Sequence, residues 1–113
     1  MGIKVLKNDN YSYLVEVSGA MDLASSQELR NTFMHIIRNK IEHFIINLEE
    51  VSSINSAGIG ALIFISSTLK KQECPMVVIA PEEPALQALE ITKLKSYFTI
   101  VASLQEAQAL VKS

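Results

Sequence analysis

The sequence has few of the features that mark several common protein classes. Its single cysteine, Cys74, cannot form an internal disulfide or by itself make a zinc site. The formal charge of −2 gives no basic excess, which argues against nucleic acid as a partner. The apolar runs are far shorter than the ~20 residues of a membrane-spanning helix, and the N-terminus does not read as a signal peptide. We therefore expect a cytoplasmic protein with no membrane partner.

Length and composition favour one folded domain. The chain has 113 residues, and 49% of them are hydrophobic, which suits a packed core and argues against disorder. Charged residues make up 19%, somewhat below the usual quarter, which indicates a face meant for a partner. We expect one domain over residues 1–113, present as a monomer or weak dimer.

Hydrophobic periodicity predicts an α/β fold in the order β-β-α-β-α-β-α-β-α. Residues 3–6 and 11–18 read as a hairpin, and residues 44–48, 76–80 and 97–101 as further strands. Helices are predicted at 25–40, with Ser25 and Glu28 as a capping box, at 56–73, from Pro81 through Leu89, and after Ser103. Helices between strands imply a mostly parallel, mixed sheet with about four helices.

Recognisable catalytic patterns are absent from the sequence. Gly58 and Gly60 are followed by Ile63 where a dinucleotide-binding fingerprint needs glycine. Ser56 lacks the glycine two residues before it that a nucleophile elbow requires. His35 and His43 have no spacing that recruits them to a metal or a serine. We expect no enzymatic activity, no cofactor and no metal.

The informative stretch is the polar, small-residue turn before the second helix. Asn55 and Ser56 are both good N-cap residues, and they follow a strand predicted to be buried. In a parallel sheet such turns lie at the carboxyl ends of the strands, where binding sites collect. Two glycines in a helical first turn cost about 1 kcal/mol each relative to alanine. Either tight helix–sheet packing or the close approach of a partner must offset that cost.

Several segments resemble one known family. Residues 55–60, Asn-Ser-Ala-Gly-Ile-Gly, resemble the Asp-Ser-Ser/Thr/Ala-Gly-Leu-Gly signature of bacterial anti-sigma factor antagonists, which are small STAS-domain proteins. Residues 19–22, Gly-Ala-Met-Asp, resemble the family's Gly-Glu-Leu/Ile-Asp turn after the second strand. Residues 45–52 resemble the strand and turn that precede the serine in the family. Residues 89–94 resemble the family's late helix ending, Phe-Asp-Ile-Thr-Gly-Leu. The resemblance covers nearly the whole chain and implies a single STAS-like domain.

The resemblance also implies a function in protein recognition. Such an antagonist binds an anti-sigma factor that is also an ATPase-fold serine kinase, and so releases the sigma factor. The kinase phosphorylates the motif serine, here Ser56, and a metal-dependent phosphatase reverses the modification. The matching positions predict a partner-binding site made of Asp22, Asn55, Ser56, Ala57, Gly58 and Ile59.

Two alternatives remain open at the level of sequence. Asn55 stands where the family usually has aspartate, and Ala20 where it has glutamate. These departures favour a constitutive interaction or scaffold module in which Ser56 only caps the helix. A carrier of a small apolar ligand or lipid is the other alternative, based on the low charge fraction and the apolar run from Ile59 to Ile65.

Overall fold

The computed structural model describes residues 2–7, 11–80 and 99–112. The strands are β1 (Gly2–Lys7), β2 (Ser12–Met21), β3 (His43–Ile54), β4 (Met76–Ile79) and β5 (Thr99–Val101). The helices are α1 (Leu23–Ile36), α2 (Ser56–Lys71) and α3 (Leu104–Lys112). The predicted short helix from Pro81 and the predicted late motif at residues 89–94 lie outside the described residues.

The five strands form one sheet in the order β1-β2-β3-β4-β5. The β1 strand runs antiparallel to β2, and the pairs β2/β3, β3/β4 and β4/β5 are parallel. The predicted hairpin and mostly parallel, mixed α/β sheet are therefore confirmed. Because parallel strands share one direction, β2 and β3 deliver the residues that follow them to the same edge of the sheet.

Hydrophobic side chains pack on both faces of the sheet. Alternate residues of β3 belong to two separate clusters, with Phe44 and Ile46 on one face and Ile45 on the other. The larger cluster includes Phe33 of α1 and Leu62 of α2, and the smaller one includes Ala107 of α3. This burial on both faces explains the continuous apolar run at residues 44–46.

Helix α1 begins two residues before the predicted start. Its N-cap is Asp22, and the capping box joins Asp22 to Ser25, so the predicted box between Ser25 and Glu28 is wrong. The Ser25 N–H donates to Asp22 Oδ1 at 2.9 Å, and the Asp22 N–H donates to Ser25 Oγ at 2.8 Å. Both residue pairs have the required spacing, but Asp22 directly follows β2, so the chain enters the helix without a loop.

Other element boundaries also differ from the predictions, among them the end of β2, which continues past Gly19 to Met21. The third strand continues to Ile54, six residues past its predicted end, because its second half pairs with β2. That half carries exposed side chains at Glu49, Glu50, Ser52 and Ser53, so it lacks the apolar signature of a buried strand. Helix α1 ends at Ile36 rather than Lys40.

The terminal helix α3 begins at Leu104, as its cap predicts. The Glu106 N–H donates to Ser103 Oγ at 3.2 Å. The Glu106 carboxylate accepts from the Ala102 N–H at 2.9 Å, one residue before the position that a complete capping box would use. No helix within residues 2–7, 11–80 and 99–112 combines the length and apolar character needed to cross a bilayer.

Candidate functional site

The ends of β2 and β3 place two polar helix caps side by side. Met21 and Ile54 are paired in the sheet, and the N–H of Asn55 donates to Met21 O at 3.2 Å. Asp22 then caps α1, and Asn55 caps α2. The fold therefore brings Asp22 and Asn55, residues predicted to share a site, to the same edge of the sheet.

Asn55 caps the first turn of α2 with hydrogen bonds. Its side-chain Oδ1 accepts hydrogen bonds from the N–H groups of Ala57, at 2.9 Å, and Gly58, at 3.2 Å. Its backbone carbonyl accepts the N–H of Ile59 at 3.1 Å. An aspartate would offer the same acceptor oxygen, so asparagine keeps the cap and changes only the charge.

Ser56 is the first residue of α2, and its side chain is exposed. The position is the one next to the cap, where the positive end of the helix dipole stabilises negative charge. No residue in the described part of the chain hydrogen-bonds the Ser56 hydroxyl. The hydroxyl is therefore accessible to another protein.

The other cap, Asp22, is also exposed and carries a stabilised negative charge. Hydrogen bonds from the backbone and then the side chain of Ser25 lower the pKa of the Asp22 carboxyl below its ordinary value of 3.8. The carboxylate is therefore ionised at neutral pH. Its charge lies at the same sheet edge as Ser56.

The apolar members of this edge differ in accessibility. Ala57 and Ile59 are half-buried, and Leu23, which follows Asp22, is 62% exposed. Leu23 was missed by sequence reasoning, although a leucine directly after a polar cap is the signal that points to it. Leu23, Ala57 and Ile59 are thus apolar residues in the first turns of the two helices that follow these strands.

Gly58 faces inward and allows α2 to rest on the strand ends. A Cβ at this position would lie 2.9 Å from Ile54 Cγ2 and 3.0 Å from both Cβ and O of Met21. Gly58 itself is buried. Tight packing of α2 against the strand ends therefore offsets the unfavourable helix propensity of Gly58.

Gly60 has a different neighbour, the guanidinium group of Arg30 on α1. A Cβ on Gly60 would lie 3.3 Å from Arg30 Nη2. The same guanidinium lies over the Phe64 ring, 5.1 Å from its centroid. Sequence reasoning could not place Arg30 beside Gly60, because no local pattern links it to a motif on another helix.

The two glycines should respond oppositely to alanine substitution. Gly58→Ala overpacks backbone and branched side-chain atoms, which typically costs 1–3 kcal/mol and exceeds the gain in helix propensity of about 1 kcal/mol. Gly60→Ala meets only the end of a flexible arginine, so it should be neutral or stabilising. Urea denaturation of both variants tests this, and equal stability of the two would contradict the packing role of Gly58.

The other residues that could bind a metal or act as a nucleophile form no second site within the described residues. Burial raises the pKa of the Cys74 thiol to about 11, so this side chain is uncharged at neutral pH. No three His, Cys, Asp or Glu side chains converge as metal ligands within residues 2–7, 11–80 and 99–112.

Comparisons with known proteins agree with this architecture. The family model of the STAS domain matches residues 3–107. An anti-sigma factor antagonist from Mycobacterium paratuberculosis has 21% identity and a TM-score of 0.84, over 99% of this chain and 94% of that one. The anti-sigma factor antagonist SpoIIAA in its unphosphorylated form has 16% identity and a TM-score of 0.79, over 99% of each chain.

The fold also matches a phosphorylated relative. The Bacillus cell fate determinant SpoIIAA in the phosphorylated form has 16% identity and a TM-score of 0.76, over 97% of this chain and 99% of that one. At these identities the structural matches establish the shared fold. The predicted STAS-like fold is confirmed.

Proposed function

Because the chain belongs to the STAS domain family, we propose that it acts as an anti-sigma factor antagonist. In this proposal it binds an anti-sigma factor that is also a serine kinase of the ATPase fold, and thereby releases the sigma factor. Phosphorylation of Ser56 ends the binding, and a metal-dependent phosphatase restores it. The chain is the substrate of both enzymes, contributes no catalytic group and acts in the cytoplasm.

The observation that carries the proposal is the exposed Ser56 hydroxyl at the start of α2. A kinase needs to reach this hydroxyl, and no described part of the chain engages it. The polar caps Asp22 and Asn55 and the apolar residues Leu23 and Ile59 belong to the starts of the two helices at the same sheet edge. Such a mixed surface suits a reversible protein interface.

Phosphorylation would change the charge of this surface with little effect on the fold. A phosphate adds about −1.5 to −2 charges near neutral pH. The helix dipole favours a negative group at this position, so the folded domain tolerates it. A partner that docks over the site would have to desolvate the phosphate together with any cation paired with it, and that desolvation can cost more free energy than the pairing returns.

Incubation with the source organism's anti-sigma factor kinase and ATP tests the proposal. Intact mass spectrometry should show the addition of one phosphate. Ser56→Ala should abolish this addition, and Ser53→Ala, which removes another exposed hydroxyl just upstream, should not. A mass that never shifts, or a shift that persists in Ser56→Ala, would contradict phosphorylation at Ser56.

A constitutive interaction module is the second candidate, and Asn55 favours it. Asparagine makes both cap hydrogen bonds, but it does not supply the negative charge that aspartate would place beside the serine. If a kinase requires that charge, Ser56 serves only as the first residue of the helix. This candidate predicts that a negative charge at position 56 leaves partner affinity nearly unchanged.

A further inference from the structure

The N–H groups of the three residues that follow Ser56 are already in use. Asn55 accepts the N–H groups of Ala57 and Gly58 through its side chain, and that of Ile59 through its carbonyl. A phosphate on Ser56 therefore cannot take these N–H groups unless the helix cap opens. The helix dipole alone is a weak, salt-screened partner for a dianion.

Helix α2 itself supplies no nearby cation. No charged residue occurs between Ser56 and Leu69, and its lysines, Lys70 and Lys71, lie in its last turn. They follow roughly 20 Å farther along the helix axis. Since surface charges are largely screened beyond about 10 Å, these lysines cannot stabilise a phosphate at position 56.

Arg30 on the adjacent helix is placed to do so. Its guanidinium lies against Gly60, with Nη2 3.3 Å from where a Cβ would be. Gly60 is four residues after Ser56, so the two positions are neighbours on one helix face, about 6 Å apart. The missing side chain at Gly60 leaves room for the guanidinium to lie along α2, one turn from the serine.

Arg30 now contacts the Phe64 ring, and a phosphate could replace that contact. Its guanidinium lies 5.1 Å from the centroid of the Phe64 ring, and no described carboxylate pairs with it. A phosphate is a stronger partner than an aromatic ring, because the planar guanidinium can donate two parallel hydrogen bonds to phosphate oxygens.

We propose that Arg30 is the residue that pairs with the phosphate on Ser56. The inference rests on the proposed function, since it assigns a counterion to the modification proposed there. On phosphorylation the Arg30 guanidinium turns from the Phe64 ring toward the phosphate, while the Asn55 cap stays closed.

The second pKa of the phosphate reports this pairing directly. Phosphoserine is introduced at position 56 during translation, so the experiment needs no kinase. The pKa is followed by ³¹P NMR in the wild-type background and in Arg30→Gln. A nearby cation favours the dianion, so Arg30→Gln should raise this pKa by roughly half a unit, and the difference should shrink in high salt.

Matched variants separate pairing from general charge effects. Arg38→Gln removes the same charge from an exposed position beyond the end of α1, and it should leave the phosphate pKa unchanged. Arg30→Lys should give a value between those of wild type and Arg30→Gln. The other titratable groups on the elements packed against α2 stay the same in all variants: Asp22, Glu28, His35, His43, Glu49 and Glu50.

The possible results also separate this inference from the proposed function. Equal phosphate pKa values in wild type and Arg30→Gln, or an equal effect of Arg38→Gln, would overturn the role of Arg30. Neither result would bear on whether a kinase modifies Ser56, which the mass measurement decides.

Discussion

Replacing Ser56 with aspartate should weaken binding to the anti-sigma factor kinase more than a hundredfold. The substitution places a permanent negative charge at the first residue of α2, amid the half-buried Ala57 and Ile59. A partner that covers this surface must desolvate the carboxylate, and a loss of only about 3 kcal/mol corresponds to a hundredfold change in affinity. Isothermal titration calorimetry with the purified kinase measures the effect.

The charge control for this experiment lies on the same helix. Ser67 is also exposed and lies three turns away from Ser56, so Ser67→Asp adds an equal charge far from the proposed interface. We expect Ser67→Asp to bind like the wild type. Ser56→Asp should remain as stable as wild type, since an acid in the first turn is favourable. Unchanged affinity of Ser56→Asp would support the constitutive module instead.

The largest expected loss of stability comes from Phe33→Ala. Phe33 is only 1% exposed, and its ring makes edge contacts with Phe44, at a centroid distance of 5.6 Å, and with Phe64, at 6.2 Å. Truncating such a ring leaves a cavity and typically costs 3–5 kcal/mol. Urea denaturation followed by circular dichroism should show this loss in the free energy of unfolding.

Met34 provides the matched control for Phe33. It is the next residue of α1 but is 44% exposed, so Met34→Ala should change the free energy of unfolding by less than about 0.5 kcal/mol. The free energy of unfolding of a small domain is about 5–15 kcal/mol in total. If the wild type lies at the lower end of that range, Phe33→Ala is only marginally stable. A loss below about 1 kcal/mol would mean that Phe33 is not a central core residue.

Local patterns predicted the elements better than their boundaries. The apolar run from Ile59 to Ile65 has no internal turn residue, which favoured one helix, and α2 spans it. The second half of β3 was missed because its stability comes from pairing with β2, which a single strand's sequence does not reveal. Likewise, Asp22 and Ser25 both suit a helix cap, and the position of the preceding strand decides between them.

The residues of the candidate site also differ in whether the sequence alone could identify them. The turn at Asn55 and Ser56 could be found because its residue types, glycines and place after a strand are all visible locally. Arg30 and Leu23 could not be placed near this turn from the sequence, since only the packing of two helices and the pairing of two strands bring α1 beside α2. For Gly58 the sequence left tight packing and the close approach of a partner open, and its buried position against Met21 and Ile54 favours packing.

The affinity of the phosphorylated protein for its kinase shows directly whether phosphorylation of Ser56 ends binding. The chain is prepared in two forms, unmodified and fully phosphorylated at Ser56, and each is titrated into the same nucleotide-loaded kinase. We expect tight binding of the unmodified form and at least a hundredfold weaker binding of the modified form, with both forms folded. Equal affinity of the two forms would show that Ser56 does not gate this interaction.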